Sequence, residues 1–503
     1  MSLVPSQSLG ITKYQLLCAL AASLGCINFG WGMGATNLPG DIISKCKAGP
    51  SHLINHLPSC IPVSDIIWGL VVGSFALGAL VGALSCTRYS NIYGCKTVLL
   101  YSNALSIASA LLFMFSVNIS MLVIARVFIG IAAGTANVTF TIYIVEITTT
   151  KARSSLGSMT QMAVMFGIIL AQLLSLSMLT PPLWRLLLAM TGVISIFSIV
   201  LLFYCAESPK WLIMNDQPVE ALNALQQLRK GSDCSAEFKH MVNTAREEMG
   251  PDACTASIID VLGGNTPDNL QHQLLVSSML MVFQQASGIS GVAFYSTALF
   301  NTVTGESNSV FSSSPTTSQV LTGILSTVGA AMNLAGMLLS VHFPRRTLLL
   351  FSHFAMGLCS ILISVGSIKG VNPLAITMVF VYLSVFSVGC GPIPWVSPSE
   401  MTPTYAVAAI GAISGSINFI CIFAIGLVFS PLLDALDGYT FLLFAATNFT
   451  AVLFFFFFLP ETKGLYVADV VRMHSVSIHN FVSARYKMTV ASPEKDAIRT
   501  GSA

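Results

Sequence analysis

The sequence is poor in charged residues. Only 9% of its 503 residues are Asp, Glu, Lys or Arg, whereas about a quarter of the residues in an ordinary soluble domain are charged. Hydrophobic residues make up 54%, and the mean hydropathy is +0.78. So few charges cannot cover so much apolar surface in water, which excludes a soluble enzyme and a disordered scaffold. The net charge of +2 indicates no nucleic acid or other polyanionic partner.

Signatures of catalytic and cofactor chemistry are also missing. The 12 cysteines are scattered without a CxxC pair, so neither a zinc module nor a dense disulfide framework fits. No glycine loop of the kind that cradles a phosphate is present, and Ser, His and acidic residues form no hydrolase signature. The sequence therefore predicts no enzyme, no ATP-driven pump and no bound metal or cofactor.

Long hydrophobic runs dominate the sequence instead. A membrane helix needs about 20 mostly apolar residues to cross about 30 Å of hydrocarbon, and backbone polar groups in lipid must be paired within the helix. The runs lie near residues 13–37, 66–87, 97–117, 121–145, 156–178, 184–205, 272–300, 318–342, 347–368, 372–396, 405–430 and 439–459. The predicted fold class is an all-α membrane protein with twelve transmembrane helices.

Lys and Arg are distributed unevenly between the connecting loops. Eighteen of the 23 fall on the side that holds the N-terminus, four fall on the other side, and Arg126 lies within the fourth run. Because basic residues are enriched in cytoplasmic loops, both termini are predicted to be cytoplasmic. The expected location of this multi-pass protein is the plasma membrane.

Two long loops and a repeat organise the chain. Residues 38–65 form an outer loop, and residues 206–271 form an inner loop whose apolar spacing predicts short helices against the cytoplasmic face. A solvated linker with some helicity is the alternative. The predicted units are an N-terminal six-helix half (1–205), cytoplasmic linker helices (206–271), a C-terminal six-helix half (272–460) and a cytoplasmic tail (461–503).

The two halves carry matching motifs. A basic turn follows the second run of each half, at residues 93–96 (YGCK) and 343–346 (FPRR). Residues 207–210 (ESPK) and 460–464 (PETKG) follow the sixth runs. A six-plus-six repeat is typical of a carrier that binds its substrate between the halves, at the membrane midplane.

Seven short motifs stand in a familiar order and spacing. They are 29–31 (FGW); Arg126-x3-Gly130-x3-Gly134 with Tyr143-x2-Glu146 and Arg153; Gln161 with 167–172 (GIILAQ); 207–212 (ESPKWL); 284–289 (QQASGI); 391–395 (GPIPW); and 460–464 (PETKG). Over residues 10–470 the chain resembles the sugar porter family of the major facilitator superfamily, in particular the animal-type facilitative glucose transporters. The resemblance implies the major facilitator fold and passive transport of a hexose such as glucose.

A sugar site needs amide side chains, which both donate and accept hydrogen bonds, and an aromatic platform. The resemblance gives these candidate substrate-binding residues: Gln161, Gln284, Gln285, Ser290, Trp395 and Asn418. The alternative for the amides is that they hold helices together in lipid, and Trp395 is alternatively a packed or interfacial aromatic. Tyr295 is an outer-gate residue by resemblance, or part of the core.

The family pattern is eroded at the predicted pocket. Ser290, Gly329, Ser387 and Gly415 stand where the family has larger side chains. Each lost hydrogen bond is worth about 0.5–1.5 kcal/mol. The departures therefore predict a roomier pocket, with weaker hexose binding than in the family or with another substrate such as fructose.

The prediction of whether transport is coupled to protons rests on where acidic residues are missing. Proton coupling needs a group that titrates within the membrane. No Asp or Glu lies in the middle of a run, and Gly32 occupies the position at which proton-coupled relatives carry Asp. The sequence therefore predicts a passive uniporter. A nutrient receptor or non-transporting relative is the alternative, although the tail after residue 464 is short for a signalling protein.

Two further predictions concern the ends of the helices. The resemblance implies a cytoplasmic gate in which Glu146 and Arg153 face Arg345 and Glu400 across the halves. Other gate charges are missing, for example at Cys95, which predicts that the resting protein favours the inward-facing state. In the outer loop, Cys46 and Cys60 are either bridged in an oxidising compartment or remain two free thiols.

Overall fold

The computed structural model describes residues 12–44, 53–54, 57–148, 159–178, 183–229, 234–249, 258–264, 266, 270–304, 317–403 and 405–461. The first part contains α1 (Lys13–Gly34), α2 (Gly40–Ser44), β1 (Leu53–Ile54), β2 (Leu57–Pro58), α3 (Asp65–Tyr93), α4 (Cys95–Met114), α5 (Ile119–Ile147), α6 (Met159–Ser177) and α7 (Leu183–Phe203). The middle part contains α8 (Pro209–Met214), α9 (Pro218–Leu228), α10 (Ser235–Met249) and α11 (Ile258–Gly263). The last part contains α12 (Gln271–Ala286), α13 (Ile289–Thr304), α14 (Thr317–His342), α15 (Arg345–Ile368), α16 (Asn372–Val388), α17 (Ile393–Met401), α18 (Val407–Leu436) and α19 (Thr440–Phe458).

The long helices confirm the predicted fold class. Within the described ranges, ten helical segments are long and apolar enough to cross a membrane. One of them, Val407–Phe458, comprises α18 and α19 and is interrupted by a 3-10 turn at Asp437–Tyr439, so it supplies two spans. Helix α14 is 26 residues long, about 39 Å, and packs against α6 and α16. With α14 the described chain has twelve spans in two groups of six, the first half (α1 and α3–α7) and the second half (α12–α19).

Two of the twelve runs fold as broken helices. The seventh is divided into α12 and α13 at Gly288, whose φ of +96° lies in the left-handed region. A Cβ there would also lie 2.8 Å from the ring of Phe444, so glycine is required on both grounds. The tenth is divided into α16 and α17 by residues 389–392 (GCGP), where Pro392 has no N–H to continue the helical ladder.

The short helices lie at one end of the bundle, here called the linker face. The Thr12 hydroxyl, which also caps α1, donates to the carbonyl of Leu228 at 2.9 Å. Arg229 donates to the carbonyl of Ile147 at 3.0 Å and pairs with Glu237 at 2.7 Å. These bonds fasten α9 and α10 to the ends of α1 and α5. The inner loop thus contains the predicted helices, and α8 and α11 in addition.

The matching motifs of the two halves form equivalent helix caps. Glu207 accepts hydrogen bonds from the backbone N–H groups of Lys96 at 3.0 Å and Ser208 at 2.9 Å. In the second half, Glu461 accepts from the N–H groups of Arg345 at 3.1 Å and Arg346 at 3.3 Å. Each carboxylate therefore satisfies the open first turn of the third span in its half, α4 or α15. Burial raises the pKa of Glu207 above its ordinary value.

The halves contact each other towards the end opposite the linker face. Helix α3 packs on α18 near its own start, where a Cβ on Gly69 would lie 2.8 Å from the carbonyl oxygen of Leu427. Helix α6 packs on α14, and the Ser326 hydroxyl donates to the side-chain oxygen of Gln172. The absence of a side chain at Gly69 permits this close backbone approach.

Candidate functional site

Two of the predicted amides meet in the interior of the second half. The Asn418 amide, on α18, donates to the side-chain oxygen of Gln284, on α12, at 2.8 Å. The amide nitrogen of Gln284 donates in turn to the carbonyls of Cys390 at 2.9 Å and Gly391 at 3.0 Å. Gln284 and Asn418 are fully buried. These two side chains, the amide pair, join three helices at the break between α16 and α17.

One acceptor of the amide pair is unsatisfied. The side-chain oxygen of Asn418 is buried and has no hydrogen-bond partner among the described residues. A buried polar atom without a partner costs about 1–3 kcal/mol. A hydroxyl that donates to this oxygen would recover that cost, so the pair is suited to a polyhydroxylated ligand.

The second pair of candidates spans the break between α12 and α13. The Ser290 hydroxyl donates to the side-chain oxygen of Gln285 at 2.5 Å, and both residues are buried. The Gln285 amide nitrogen makes no hydrogen bond within the described ranges, so it can donate to a ligand. The Ser at 290 is therefore a working partner of Gln285, although it is smaller than the residue the family carries.

Helix α15 supports the broken segment from behind, through two neighbouring residues. The N–H of Cys390 donates to the Ser352 hydroxyl at 3.1 Å, and its thiol lies 3.4 Å from Nε2 of His353. The other ring nitrogen of His353 lies 2.9 Å from the side-chain oxygen of Asn448 on α19. These contacts fix the position of the Cys390 carbonyl, which accepts a hydrogen bond from the Gln284 amide. The sequence did not predict the roles of Ser352 and Cys390, because neither belongs to a polar pattern.

Open space lies about one helical turn from Asn418 on α18. A Cβ on Gly415, three residues before Asn418, would meet no atom within 4 Å. Gly329 differs, because a Cβ there would lie 2.7 Å from the side chain of Leu383. The predicted enlargement therefore occurs at Gly415, whereas the space at Gly329 is filled by a neighbouring leucine.

Two candidates stand apart from the amide pair. Gln161 is half-buried on α6 in the first half, and Trp395 on α17 is 46% exposed. Neither makes a hydrogen bond to another described residue. The structure thus brings Gln284, Gln285, Ser290 and Asn418 together around the two helix breaks and leaves the other two unpaired.

A hydrogen-bonded latch joins the halves at the end opposite the linker face. The Asn37 amide, just after α1, donates to the carbonyl of Ala293 at 2.9 Å and the Ser296 hydroxyl at 2.7 Å. Its oxygen accepts from the N–H of Thr297 at 3.3 Å. Sequence reasoning missed Asn37, and its only signal was an amide at the end of an apolar run.

Tyr295 lies next to this latch on α13. Its hydroxyl donates to the carbonyl of Gly426 at 2.8 Å, and its ring stacks on Phe429 with centroids 5.6 Å apart. Both contacts are within the second half, and Tyr295 has non-helical dihedral angles at a kink in α13. In this conformation the side chain packs in the core beside the latch.

The predicted cytoplasmic-gate residues are paired within each half. Arg345 and Glu400 form a salt bridge that connects α15 to α17. In the first half, the Cys95 thiol donates to the Glu146 carboxylate at 3.7 Å. Arg153 lies outside the described residues.

One of the two cysteines of the predicted outer-loop disulfide lies within the described residues. Cys60 is disulfide-bonded. Its predicted partner, Cys46, lies outside the described residues, so the pairing of these two cysteines stays a prediction.

Arg126 carries a buried charge in the first half. Its guanidinium donates to the carbonyls of Gly32 at 2.5 Å, Val72 at 3.0 Å and Val71 at 3.2 Å. It also lies 5.0 Å from the ring centroid of Phe75. Among the described residues it contacts no carboxylate, so backbone dipoles and an aromatic face satisfy this charge.

Twelve spans, broken seventh and tenth helices, and a buried amide pair at the break define a membrane carrier of the major facilitator type. The family described as "Sugar (and other) transporter" matches residues 17–474, and the chain belongs to this family. This result confirms the resemblance found in the sequence.

Several relatives and solved structures are similar to the chain. It is 30% identical over 477 residues to solute carrier family 2, facilitated glucose transporter member 4, of Bos taurus, covering 90% of this chain and 89% of the relative. It is 31% identical over 437 residues to member 2 of Rattus norvegicus, covering 84% and 80%. The inward open xylose transporter XylE from E. coli superposes with a TM-score of 0.72 at 20% identity, covering 91% of this chain and 99% of XylE. XylE bound to 6-bromo-6-deoxy-D-glucose gives 0.71 at 20% identity, covering 91% and 98%.

Proposed function

We propose that the chain is a passive uniporter that carries a hexose such as glucose by alternating access. The observation that carries the proposal is the buried pair of Gln284 and Asn418, which has one unsatisfied acceptor and lies about one helical turn from the open space at Gly415. The names of the similar glucose transporters support the substrate class. Gln161, Gln285, Ser290 and Trp395 are proposed to complete the site as the two halves close around the sugar.

The proposed moving units are residues 1–205 and 272–460, connected by the linker 206–271 and followed by the tail 461–503. The distribution of Lys and Arg supports a cytoplasmic linker face and a plasma-membrane location. With that orientation, the halves contact each other on the extracellular side through the Asn37 latch. Contact on that side is expected of an inward-facing state, and we propose that this conformation is inward-facing; the resting preference predicted from the missing gate charges stays a prediction.

Uniport is supported by the surroundings of Arg126. Gly32 offers only a backbone carbonyl to the guanidinium, and backbone carbonyls do not titrate. A proton-coupled carrier needs an ionisable partner that gains and loses its proton as the carrier turns over. XylE, which is similar in fold, is a proton:xylose symporter, so the two proteins are proposed to differ in coupling.

The test of the substrate site is uptake of radiolabelled glucose into proteoliposomes that contain only this protein. Gln284→Leu removes the amide that bridges Asn418 and the α16–α17 break, and uptake should fall about 5- to 150-fold, since stranding a buried partner costs about 1–3 kcal/mol. The matched control is Gln273→Leu on the same helix. Gln273 is equally buried, but it lies eleven residues before Gln284, about 16 Å along α12 and outside the amide pair, so its removal should leave uptake intact. Equal uptake by both variants would contradict the assignment of Gln284.

A ketohexose such as fructose is the second candidate substrate, because the open space at Gly415 leaves room for a hexose of another ring form. Parallel uptake of fructose distinguishes the two sugars. A nutrient receptor or non-transporting relative would bind sugar, measured by protection of the protein from thermal unfolding, without any uptake.

A further inference from the structure

A groove lies on the lipid-facing surface of the first half, away from the amide pair. It runs between α3 and α4 with α5 as its floor, and its volume is about 340 Å³. Tyr93 ends α3 at the linker face, whereas the lining residue Ile131 lies 16 residues before the end of α5, a helix length of about 24 Å. The groove therefore descends from the membrane interface into the hydrocarbon.

Three tyrosines form one wall of this groove. Tyr89, Tyr93 and Tyr101 are 48%, 49% and 64% exposed. The rings of Tyr89 and Tyr93 are stacked with centroids 6.4 Å apart, and Tyr101 meets Tyr93 edge-on at 6.3 Å. Their phenol hydroxyls make no hydrogen bond to another described residue. Aromatic rings with a polar tip are suited to the membrane–water interface, so these rings can contact an amphipathic ligand.

The rest of the lining is apolar or neutral. The Ser102 hydroxyl donates to the carbonyl of Leu99 at 2.8 Å, and the Ser85 hydroxyl donates to the carbonyl of Val81 at 2.7 Å. Both oxygens keep lone pairs that can accept. Among the described residues that line the groove there is no Lys, Arg, Asp or Glu. A charged headgroup would therefore find no counter-ion in it, whereas a single hydroxyl would find partners.

The occupant must come from the bilayer, because the groove is continuous with the surface that contacts lipid. Val81, Leu84 and Ile92 lie beside it on α3 and are about half exposed, as apolar side chains that face lipid are. A ligand in the groove thus shares one side with the bilayer, and a volume at the lower end of the usual range of about 300–1,000 Å³ suits a compact rigid body.

The sequence contains two patterns of the kind proposed for cholesterol contact, a basic residue followed by Tyr and then Leu or Val. The first is Arg88-x4-Tyr93-x4-Val98, and the second is Lys96-x4-Tyr101-x3-Leu105. Such patterns carry little weight alone. Here the tyrosine and the aliphatic residue of both patterns line the same groove, which the sequence match does not require.

We propose that this groove is a binding site for a sterol in the leaflet at the linker face. The flat ring system lies against the tyrosine rings and the aliphatic floor, and the sterol hydroxyl bonds to the phenol hydroxyls at the interface. This site is independent of the sugar site and of transport.

The test is labelling of the protein in proteoliposomes by a photoactivatable cholesterol analogue, with the labelled peptides identified by mass spectrometry. Label should map to α3 and α4 and be displaced by cholesterol, but not by added phosphatidylcholine. Tyr93→Leu/Tyr101→Leu removes two ring contacts and should lower labelling about tenfold. Tyr204→Leu is the matched control, because Tyr204 is 71% exposed outside the groove, and its labelling should equal that of the wild type.

A second variant keeps the test informative if the leucine variant folds poorly. Tyr93→Phe/Tyr101→Phe retains the rings and removes the hydroxyls. It should still be labelled, but it should lose the preference for cholesterol over its 3α-hydroxy epimer in competition. Labelling that is unchanged in the leucine variant, that maps away from α3 and α4, or that phosphatidylcholine displaces equally well would overturn the proposal.

Discussion

At the residue scale, the candidate site depends on how buried amides are satisfied. Gln284 uses its nitrogen and its oxygen to hold three helices, while Asn418 keeps one oxygen unpaired. The pair therefore fulfils the first of the two roles predicted as alternatives, because it holds helices together, and ligand binding stays a proposal that its unpaired oxygen supports. The hydrogen bonds between the helices fix the geometry of the pair. The unpaired side-chain oxygen of Asn418 is left to accept a hydrogen bond from a ligand hydroxyl.

Gly415 offers a residue-scale prediction. Gly415→Trp places a ring in open space one helical turn from Asn418, where it can serve as an aromatic platform in addition to Trp395. A stacked ring contributes about 1 kcal/mol, so the KM for glucose uptake should fall about fivefold. The measurement is concentration-dependent uptake in proteoliposomes. Gly329→Trp is the control, because Leu383 already fills that space, and this variant should lose thermal stability without gaining affinity. A KM that Gly415→Trp leaves unchanged or raises would show that this space does not adjoin the sugar.

Glu207 gives a prediction about pH. Its pKa is raised by burial above the ordinary value of 4.5, so the folded state holds the proton more tightly than the unfolded state does. The free energy of unfolding should therefore fall as pH rises from about 4.5 to the folded pKa, and level off above it. Glu207→Gln keeps an acceptor for the N–H of Lys96 and should remove this slope. Thermal unfolding of the wild type and the variant in detergent between pH 4 and 8 measures the slope of stability against pH. Identical slopes for the two proteins would contradict the assignment of this slope to Glu207.

At the element scale, the sequence predicted the spans well and the helix breaks poorly. Each of the twelve apolar runs corresponds to a helix or to a broken pair of helices, because the cost of unpaired backbone in lipid leaves few alternatives. The breaks at Gly288 and at residues 389–392 were missed, since hydropathy continues across them. What marks them is tertiary, such as the ring of Phe444 against Gly288.

The candidate site was likewise predicted only in part from the sequence. Gln284 and Asn418 were predicted because amides in lipid need partners and because the surrounding motif resembles a known family. The carbonyls of Cys390 and Gly391 could not be predicted, since they become available only where α16 and α17 separate. Asn37 was missed because an amide at the end of an apolar run looks the same as an ordinary loop residue.

At the scale of the whole molecule, the Asn37 latch is the hydrogen-bonded contact between the halves that we expect to bias which face is closed. Asn37→Ala removes three hydrogen bonds to α13 that exist only while this end is shut. At about 0.5–1.5 kcal/mol each, a loss near 2 kcal/mol would change the conformational ratio about thirtyfold. The distance between spin labels at Val117 and Tyr439, both exposed at that end, should lengthen without sugar. An unchanged distance distribution would indicate that helix packing, rather than the latch, sets the balance.

The central claim is passive transport of a hexose, and one measurement tests it most directly. Proteoliposomes that contain only this protein are given an inward proton gradient and radiolabelled glucose. Because Arg126 is satisfied by backbone carbonyls and has no described carboxylate partner, the internal glucose should rise to the external concentration and stop there. Accumulation several-fold above the external concentration that a protonophore abolishes, or no saturable entry at all, would contradict the account.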